Sequence, residues 1–137
     1  MTRLRMILGG EVFPARLEEV AAPLTCAWFL ARLPYEAQAI HARWSGEALW
    51  IPTGEAPGGP EAENLVEHPG AGQILWYGGA ISEPEMLIAY GVARFACSGG
   101  PLLGSHFLTV TDGLDRLAQA GRDVLWRGAR AIRFEQI

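Results

Sequence analysis

Apolar and polar residues alternate along much of this chain, with the period of a β-strand that buries one face. The first such run covers 3–8 and meets Gly9 and Gly10 before the alternation resumes at Glu11. Two glycines between alternating runs predict a tight hairpin, because both central residues of such a turn adopt positive φ. Later runs predict strands at 73–77, 86–90, 92–96, 105–111 and 129–137.

Two segments have apolar residues at helical spacing instead. The first, 23–33, begins with a proline suited to a first helical turn and ends before another proline, and two apolar stripes predict that it is largely buried. The second, 114–127, follows Asp112, a predicted N-cap, and ends at Gly128. Together with the strands, this order predicts a mainly β fold that occupies 1–137 as a single domain.

The pair of strands within 38–51 determines which side chains could form a site. A two-residue turn at Ser45–Gly46 would place His41, Arg43 and Trp50 on the face opposite the core. A cation over an indole, beside an imidazole that titrates, suits an anionic or carbonyl-bearing small molecule. The residues assigned to the core face are Ile40, Ala42, Trp44, Leu49 and Ile51.

Two stretches lack any hydrophobic period. Residues 52–72 are rich in Pro, Gly, Glu and Ala, and residues 97–104 form a shorter glycine-containing stretch, so both are predicted to be surface loops. A loop as long as the first is a lid, a binding loop or a flexible segment. The sequence leaves these interpretations open.

Composition and charge exclude several classes of function. Half of the residues are hydrophobic and 19% are charged, as in a packed globule, and the net charge is -4 with scattered arginines. We therefore expect neither a nucleic-acid partner nor a membrane partner, because both favour clustered basic residues. No apolar stretch is long enough for a signal peptide or a membrane span, so a cytoplasmic location is expected. The two cysteines are predicted to be small hydrophobic residues of a reducing compartment.

A resemblance to a known family comes from six segments spread over nearly the whole chain. They are APLTCAWFLARLP at 22–34, AIHARWSGEALWIP at 39–52, GQILWYGG at 72–79, IAYG at 88–91, GPLLGSHFLTVTDGL at 100–114 and WRGARAIRFE at 126–135. Together they resemble cyclophilin-like bacterial proteins of unknown function. The resemblance implies a closed β-barrel of about eight strands with an α-helix at each end. It implies no reaction, no cofactor and no catalytic residues.

The match to true cyclophilins, which isomerise prolyl peptide bonds, is partial. Their early-strand arginine often directly follows a histidine, whereas His41 and Arg43 are separated by Ala42. The Phe-Met-x-Gln run of the next strand is replaced by the residues at 48–52. Peptidyl-prolyl isomerase activity is therefore an alternative that depends on fold analogy and on Arg43.

Six polar and aromatic residues are predicted to line a pocket at the barrel surface. The competing interpretation is an ordinary polar outer face, with each histidine held by a backbone partner. Glu83 and Glu85, on either side of Pro84, are either an acid-base pair or an exposed acidic turn. The candidate ligand-binding residues are His41, Arg43, Trp50, Tyr77, Tyr90 and His106.

Other chemistries have no support in the sequence. Three histidines lack a cysteine or carboxylate at ligand spacing, no glycine loop is followed by a phosphate-binding lysine, and no GxSxG motif is present. We expect no metal and no cofactor. The main hypothesis is a protein that binds, and in the case of an enzyme transforms, a small molecule. A non-catalytic module that assembles into a homo-oligomer is a further alternative, because five tryptophans favour self-association.

Overall fold

The structure, a computed structural model, describes residues 2–137. Within them lie eleven strands, two α-helices and one 3₁₀ turn at Arg43–Ser45. The strands are β1 (Arg3–Leu8), β2 (Glu11–Leu17), β3 (Tyr35–His41), β4 (Gly46–Pro52), β5 (Leu65–Val66), β6 (Gln73–Tyr77), β7 (Glu85–Ala93), β8 (Ala96–Cys97), β9 (Gly100–Pro101), β10 (Gly104–Val110) and β11 (Arg130–Gln136), and the helices are α1 (Pro23–Leu30) and α2 (Leu114–Arg127).

Eight antiparallel strands close into a barrel in the order β2-β1-β11-β3-β4-β7-β6-β10, and pairing between β2 and β10 completes the circle. Strand β5 adds to β10, and β8 pairs with β9 in a separate hairpin. Closure leaves no exposed edge along these eight strands, apart from the irregularities at their ends. The prediction of a mainly β, cyclophilin-like barrel with two helices is confirmed.

The barrel interior is packed with side chains that alternate along the strands and with side chains from both helices. From α1, Phe29 packs edge-on against Phe107 and Phe134, at centroid distances of 5.0 and 5.3 Å. From α2, Leu117 and Val124 join the same core. The two helices thus cover the interior that the strands enclose.

A second apolar core lies on the outer face of β4, β6 and β7. The whole stretch from Glu85 to Tyr90 is buried, because alternate residues of β7 face the barrel interior and this outer core. The chain from 93 to 104, which contains the β8–β9 hairpin, covers it. The buried members of the outer core are Ala42, Ala48, Leu75, Leu87, Ala89, Ala93, Phe95 and Leu102.

The predicted register between β3 and β4 is wrong by one residue. His41 pairs with Leu49, and Ile40 pairs with Trp50. The connection is the 3₁₀ turn rather than a two-residue turn, and this shift exchanges the two faces of β3. His41 therefore lies on the side of the interior core, whereas Ile40 points outward with 37% of its surface exposed.

Three element boundaries also differ from prediction. Helix α1 ends at Leu30, and only its Cys26–Phe29 side is deeply buried, whereas Leu24 is 51% exposed. The N-cap of α2 is Gly113 in a left-handed conformation, and the Asp112 carboxylate instead accepts the N–H of Gly113 at 2.9 Å. The loop predicted at 97–104 contains strand β9 and the end of β8.

The strand predicted at 86–90 continues across Gly91 as β7 and ends at Ala93, so the strand predicted at 92–96 is divided between β7 and β8. The Glu47 carboxylate accepts the N–H of Val92 at 2.9 Å and fills the space that a side chain at 91 would need. Glycine here therefore admits a neighbouring side chain without ending the strand.

The long loop at 52–72 is anchored to the barrel. The Gly58 N–H donates to the carbonyl of Gly78 at 2.8 Å. Further along, Glu63 accepts the N–H and the hydroxyl of Thr25 at 2.7 and 3.1 Å, which ties the loop to the first turn of α1. Neither helix in residues 2–137 is both long and apolar enough to cross a membrane.

We predict that Gly121→Ala destabilises the protein although alanine favours helices. A methyl group at 121 would overlap the buried ring of Tyr90. The expected overpacking cost of ~1–3 kcal/mol exceeds the gain in helix propensity of ~1 kcal/mol. Urea denaturation measures the change. In a Tyr90→Ala background the same substitution should become neutral or stabilising, and destabilisation of similar size in both backgrounds would contradict this explanation.

Candidate ligand-binding site

The six residues predicted from the sequence lie in separate regions of the barrel. His41 and Tyr90 meet under α2, and His106 lies near the β2–β10 seam. Arg43 is exposed on the 3₁₀ turn. Trp50 and Tyr77 flank the outer core. The structure therefore brings together His41 with Tyr90, and places Trp50 and Tyr77 on one face, but it does not gather all six around one pocket.

His41 and Tyr90 form a hydrogen-bonded pair that is packed under α2. The His41 Nε2 and Tyr90 Oη atoms are 2.7 Å apart, and the rings meet edge to face. Burial, with a smaller effect from the positive charge of Arg43, lowers the pKa of His41. The other ring nitrogen, Nδ1, is buried without a hydrogen-bond partner in residues 2–137. A neutral imidazole at this position completes the packing below α2.

His106 belongs to a polar network across the barrel closure. Its Nε2 lies 2.7 Å from the Thr109 hydroxyl, which donates to Glu18 at 2.6 Å. Burial alone would raise the pKa of Glu18, but hydrogen bonds from Thr109 and Arg16 hold it below its usual range. Burial lowers the pKa of His106, and the negative charge of Glu18 opposes that effect. These contacts reinforce the pairing of β2 with β10.

A more promising cavity, of about 450 Å³, opens beside the outer core where three segments meet: the 3₁₀ turn, the loop before β7 and strand β8. We call it the outer-face pocket. Its volume falls within the range of small-molecule sites, roughly 300–1,000 Å³. The lining residues are Trp44, Trp50, Ser82, Glu83, Glu85, Ala96, Cys97 and Ser98.

Two indoles form one wall of the outer-face pocket. Trp44 and Trp50 meet edge to face, with centroids 5.7 Å apart, and 54% of Trp44 is exposed. The turn that carries Trp44 is fixed, because the buried Ser45 accepts the N–H of Arg94 at its carbonyl and the N–H of Ala96 at its hydroxyl. The Nε1 atom of Trp50 is buried and has no partner in the described part of the chain.

Glu85 is the buried acidic residue of the outer-face pocket. It is the first residue of β7, faces outward opposite Pro52 and Tyr77, and is only 5% exposed. Burial, with a smaller contribution from the negative charge of Glu83, raises the pKa of Glu85 to about 7, and a hydrogen bond from Ser82 partly opposes the shift. Near neutral pH the protonated and ionised forms of this carboxyl group are therefore both populated.

Tyr77 positions the loop that carries the acidic residues. Its hydroxyl oxygen accepts the N–H groups of Ile81 and Ser82 at 3.0 and 3.4 Å. Tyr77 itself lines a second, smaller cavity of about 360 Å³ with Trp76 and the glycines of the long loop. Of the six predicted residues, Trp50 thus lines the outer-face pocket and Tyr77 supports it.

The chemistry of the outer-face pocket follows from its lining. It combines two carboxyl groups, two indoles, two hydroxyls and a thiol, and no Arg, Lys or His lines it. Such a surface attracts positive charge and accommodates an apolar body. No group of three potential metal ligands occurs within residues 2–137.

The eight-stranded antiparallel barrel with two helices over its interior is a cyclophilin-like fold. The sequence places the chain more narrowly. Residues 7–136 match the family described as "Protein of unknown function (DUF3830)", and the chain belongs to that family. No curated protein matches the sequence.

Three solved structures share the fold at low sequence identity. McbB in complex with tryptophan is 17% identical with a TM-score of 0.69, over 96% of this chain and 44% of McbB, so this chain spans less than half of that protein. The hypothetical protein AF2241 from Archaeoglobus fulgidus is 16% identical with a TM-score of 0.59, over 99% and 95% of the two chains. A cyclophilin-type peptidyl-prolyl cis-trans isomerase from Cryptosporidium parvum, determined in the presence of the dipeptide Ala-Pro, is 13% identical with a TM-score of 0.55, over 87% and 84%.

We predict that Glu85→Gln removes a pH-dependent loss of stability. The carboxyl group of Glu85 has a pKa of about 7 in the folded protein and about 4.5 in the unfolded chain. The folded state is therefore most stable, with respect to this group, below pH 4.5, where the group is protonated in both states. Its ionisation destabilises the fold progressively as the pH rises to about 7. Relative to the parent protein, the variant should therefore gain roughly 2–3 kcal/mol of stability between pH 5 and pH 8.

Urea denaturation at both pH values measures that gain. The matched control is Glu61→Gln, which makes the same chemical change at an exposed residue. A stability difference between Glu85→Gln and the parent that does not change with pH would show that Glu85 ionises normally.

Proposed function

We propose that this protein binds a small organic cation, an amine with an apolar body, in the outer-face pocket. The observation that carries the proposal is the position of Glu85, a buried carboxyl group beside two tryptophans in a cavity that no basic side chain lines. The small-molecule class was expected from the sequence, but the acidic lining favours a cation over the anion that His41 and Arg43 had suggested.

Electrostatics supports a cationic ligand. An ionised carboxylate at 5% exposure has lost most of its hydration, which is costly without a compensating charge. An ammonium group would supply that charge and donate hydrogen bonds to the carboxylate. Its alkyl or aryl portion would pack on the faces of Trp44 and Trp50, where indole quadrupoles also attract cations.

The structural neighbours give limited support. McbB is described in complex with tryptophan, a small molecule that carries an amine and an apolar ring. The isomerase alternative depended on Arg43, which is exposed on the turn and does not line the outer-face pocket. Amine binding, in contrast, depends on Glu85, Trp44 and Trp50, which line the outer-face pocket.

We expect phenethylamine to bind and the neutral analogue phenethyl alcohol to bind much more weakly, as measured by isothermal titration calorimetry. Glu85→Gln should reduce affinity for the amine roughly 10- to 100-fold, the usual effect of losing a charged hydrogen bond. Trp44→Ala should reduce it about 3- to 30-fold. Glu61→Gln is the matched control and should leave affinity unchanged. Equal binding of amine and alcohol would contradict the proposal.

The affinity for the amine should increase with pH and level off above about pH 7. An ammonium ligand requires the ionised form of Glu85, whose pKa is raised to about 7 mainly by burial. Below that pH, each unit should weaken apparent binding up to about tenfold. Calorimetric titrations from pH 5.5 to 8.5 test this. A profile that weakens with rising pH, or that keeps the same slope in Glu85→Gln, would assign the dependence to another group.

A further inference from the structure

We infer that the preferred ligands of the outer-face pocket are diamines, with one cationic nitrogen at Glu85 and the other at Glu83. This inference rests on the proposed amine-binding function and specifies its ligand class. It concerns the number of charges that the pocket recognises, so a comparison of a diamine with a monoamine tests it separately from amine binding itself.

The first observation is that two carboxyl groups line the same cavity at different depths. Glu85 is 5% exposed, whereas Glu83 is exposed at the rim. Only Pro84 separates the two residues along the chain, and both side chains line the same cavity. A ligand with one positive charge would neutralise only one of them.

The second observation concerns ion pairs elsewhere in the protein. Six glutamates of residues 2–137 are paired with arginine, including Glu18 with Arg16 and Glu67 with Arg94. Three others, Glu19, Glu47 and Glu63, accept backbone N–H groups instead. Glu83 and Glu85 have no such partner among the ion pairs of the described chain. These two carboxyl groups are therefore available to cations that come from outside the chain.

The third observation is that the segment between the two carboxyl groups is held in place. The Thr53 hydroxyl donates to the carbonyl of Pro84 at 3.2 Å. On the other side, Tyr77 accepts the N–H groups of Ile81 and Ser82. A backbone that is already held in place favours binding of a ligand with two charges, because less conformational entropy of the segment is lost on binding.

The region between the charges suits a hydrocarbon spacer. Trp44 and Trp50 form the wall beside the two glutamates, and the Nε1 atom of Trp50 is buried without a partner among residues 2–137. Methylene groups can cover the indole faces while each ammonium group meets a carboxylate. The two carboxyl groups and the aromatic wall are thus the groups that an alkyl diamine would contact with its two nitrogens and its methylene chain.

The test compares putrescine with butylamine, which has the same carbon chain and one amine fewer. Isothermal titration calorimetry of the full chain at pH 8 and physiological salt is expected to show putrescine binding about 2- to 5-fold more tightly, as for an exposed second ion pair. Glu83→Gln should remove most of that preference, with a much larger loss for putrescine than for butylamine. Glu85→Gln should weaken both ligands, and Glu61→Gln should weaken neither.

Different outcomes would overturn the diamine inference and the proposed amine-binding function. Equal affinity for putrescine and butylamine would overturn the diamine inference and leave amine binding intact. Failure of both ligands, and of phenethylamine, to bind would overturn the proposed function itself. A preference for putrescine that survives Glu83→Gln would also overturn the inference, because the second charge would then be recognised elsewhere. Circular dichroism of each variant confirms that the comparison is made on folded protein.

Discussion

Burial of β7 on both of its faces is the constraint from which the outer-face pocket arises. The barrel interior receives Met86, Ile88 and Tyr90, so Leu87 and Ala89 must point outward. Apolar residues on the outside of a barrel need a second cover, since leaving them in water would forfeit their hydrophobic stabilisation. The chain from 93 to 104 supplies that cover. A cavity remains at its margin, where the covering segment meets the turn that carries Trp44.

This arrangement explains why a carboxyl group is buried at the start of β7. Glu85 occupies the same outward row as Leu87 and Ala89, so the cover that shields those side chains also removes water from its carboxyl group. Burial of this kind lowers stability when the group ionises. Buried charges that lower stability and lack a compensating contact within the protein are common at binding sites, where the ligand supplies the missing interaction.

Much of the barrel could be predicted from the sequence, because closed antiparallel sheets repeat a simple alternation. The strands at 3–8, 73–77 and 105–110 and the second helix follow from period and from turn residues. The β3–β4 connection could not be predicted in the same way. Ser45 and Gly46 are typical of a two-residue turn, but the buried contacts of Ser45 with the chain at 94–96 favour a 3₁₀ turn instead.

The candidate site depended on contacts that local sequence does not contain. Alternation with Leu49 and Ile51 correctly predicts that Trp50 lies off the interior face. Its partner across the strands, however, is Ile40 rather than His41. Glu83 and Glu85 were considered only as a local pair around Pro84. What distinguishes the two glutamates is the burial of Glu85, which comes from residues about 40 positions earlier and 10 later in the chain. Long-range packing converts an ordinary acidic turn into a site with one deep and one shallow negative charge, and no local pattern could have shown that difference in depth.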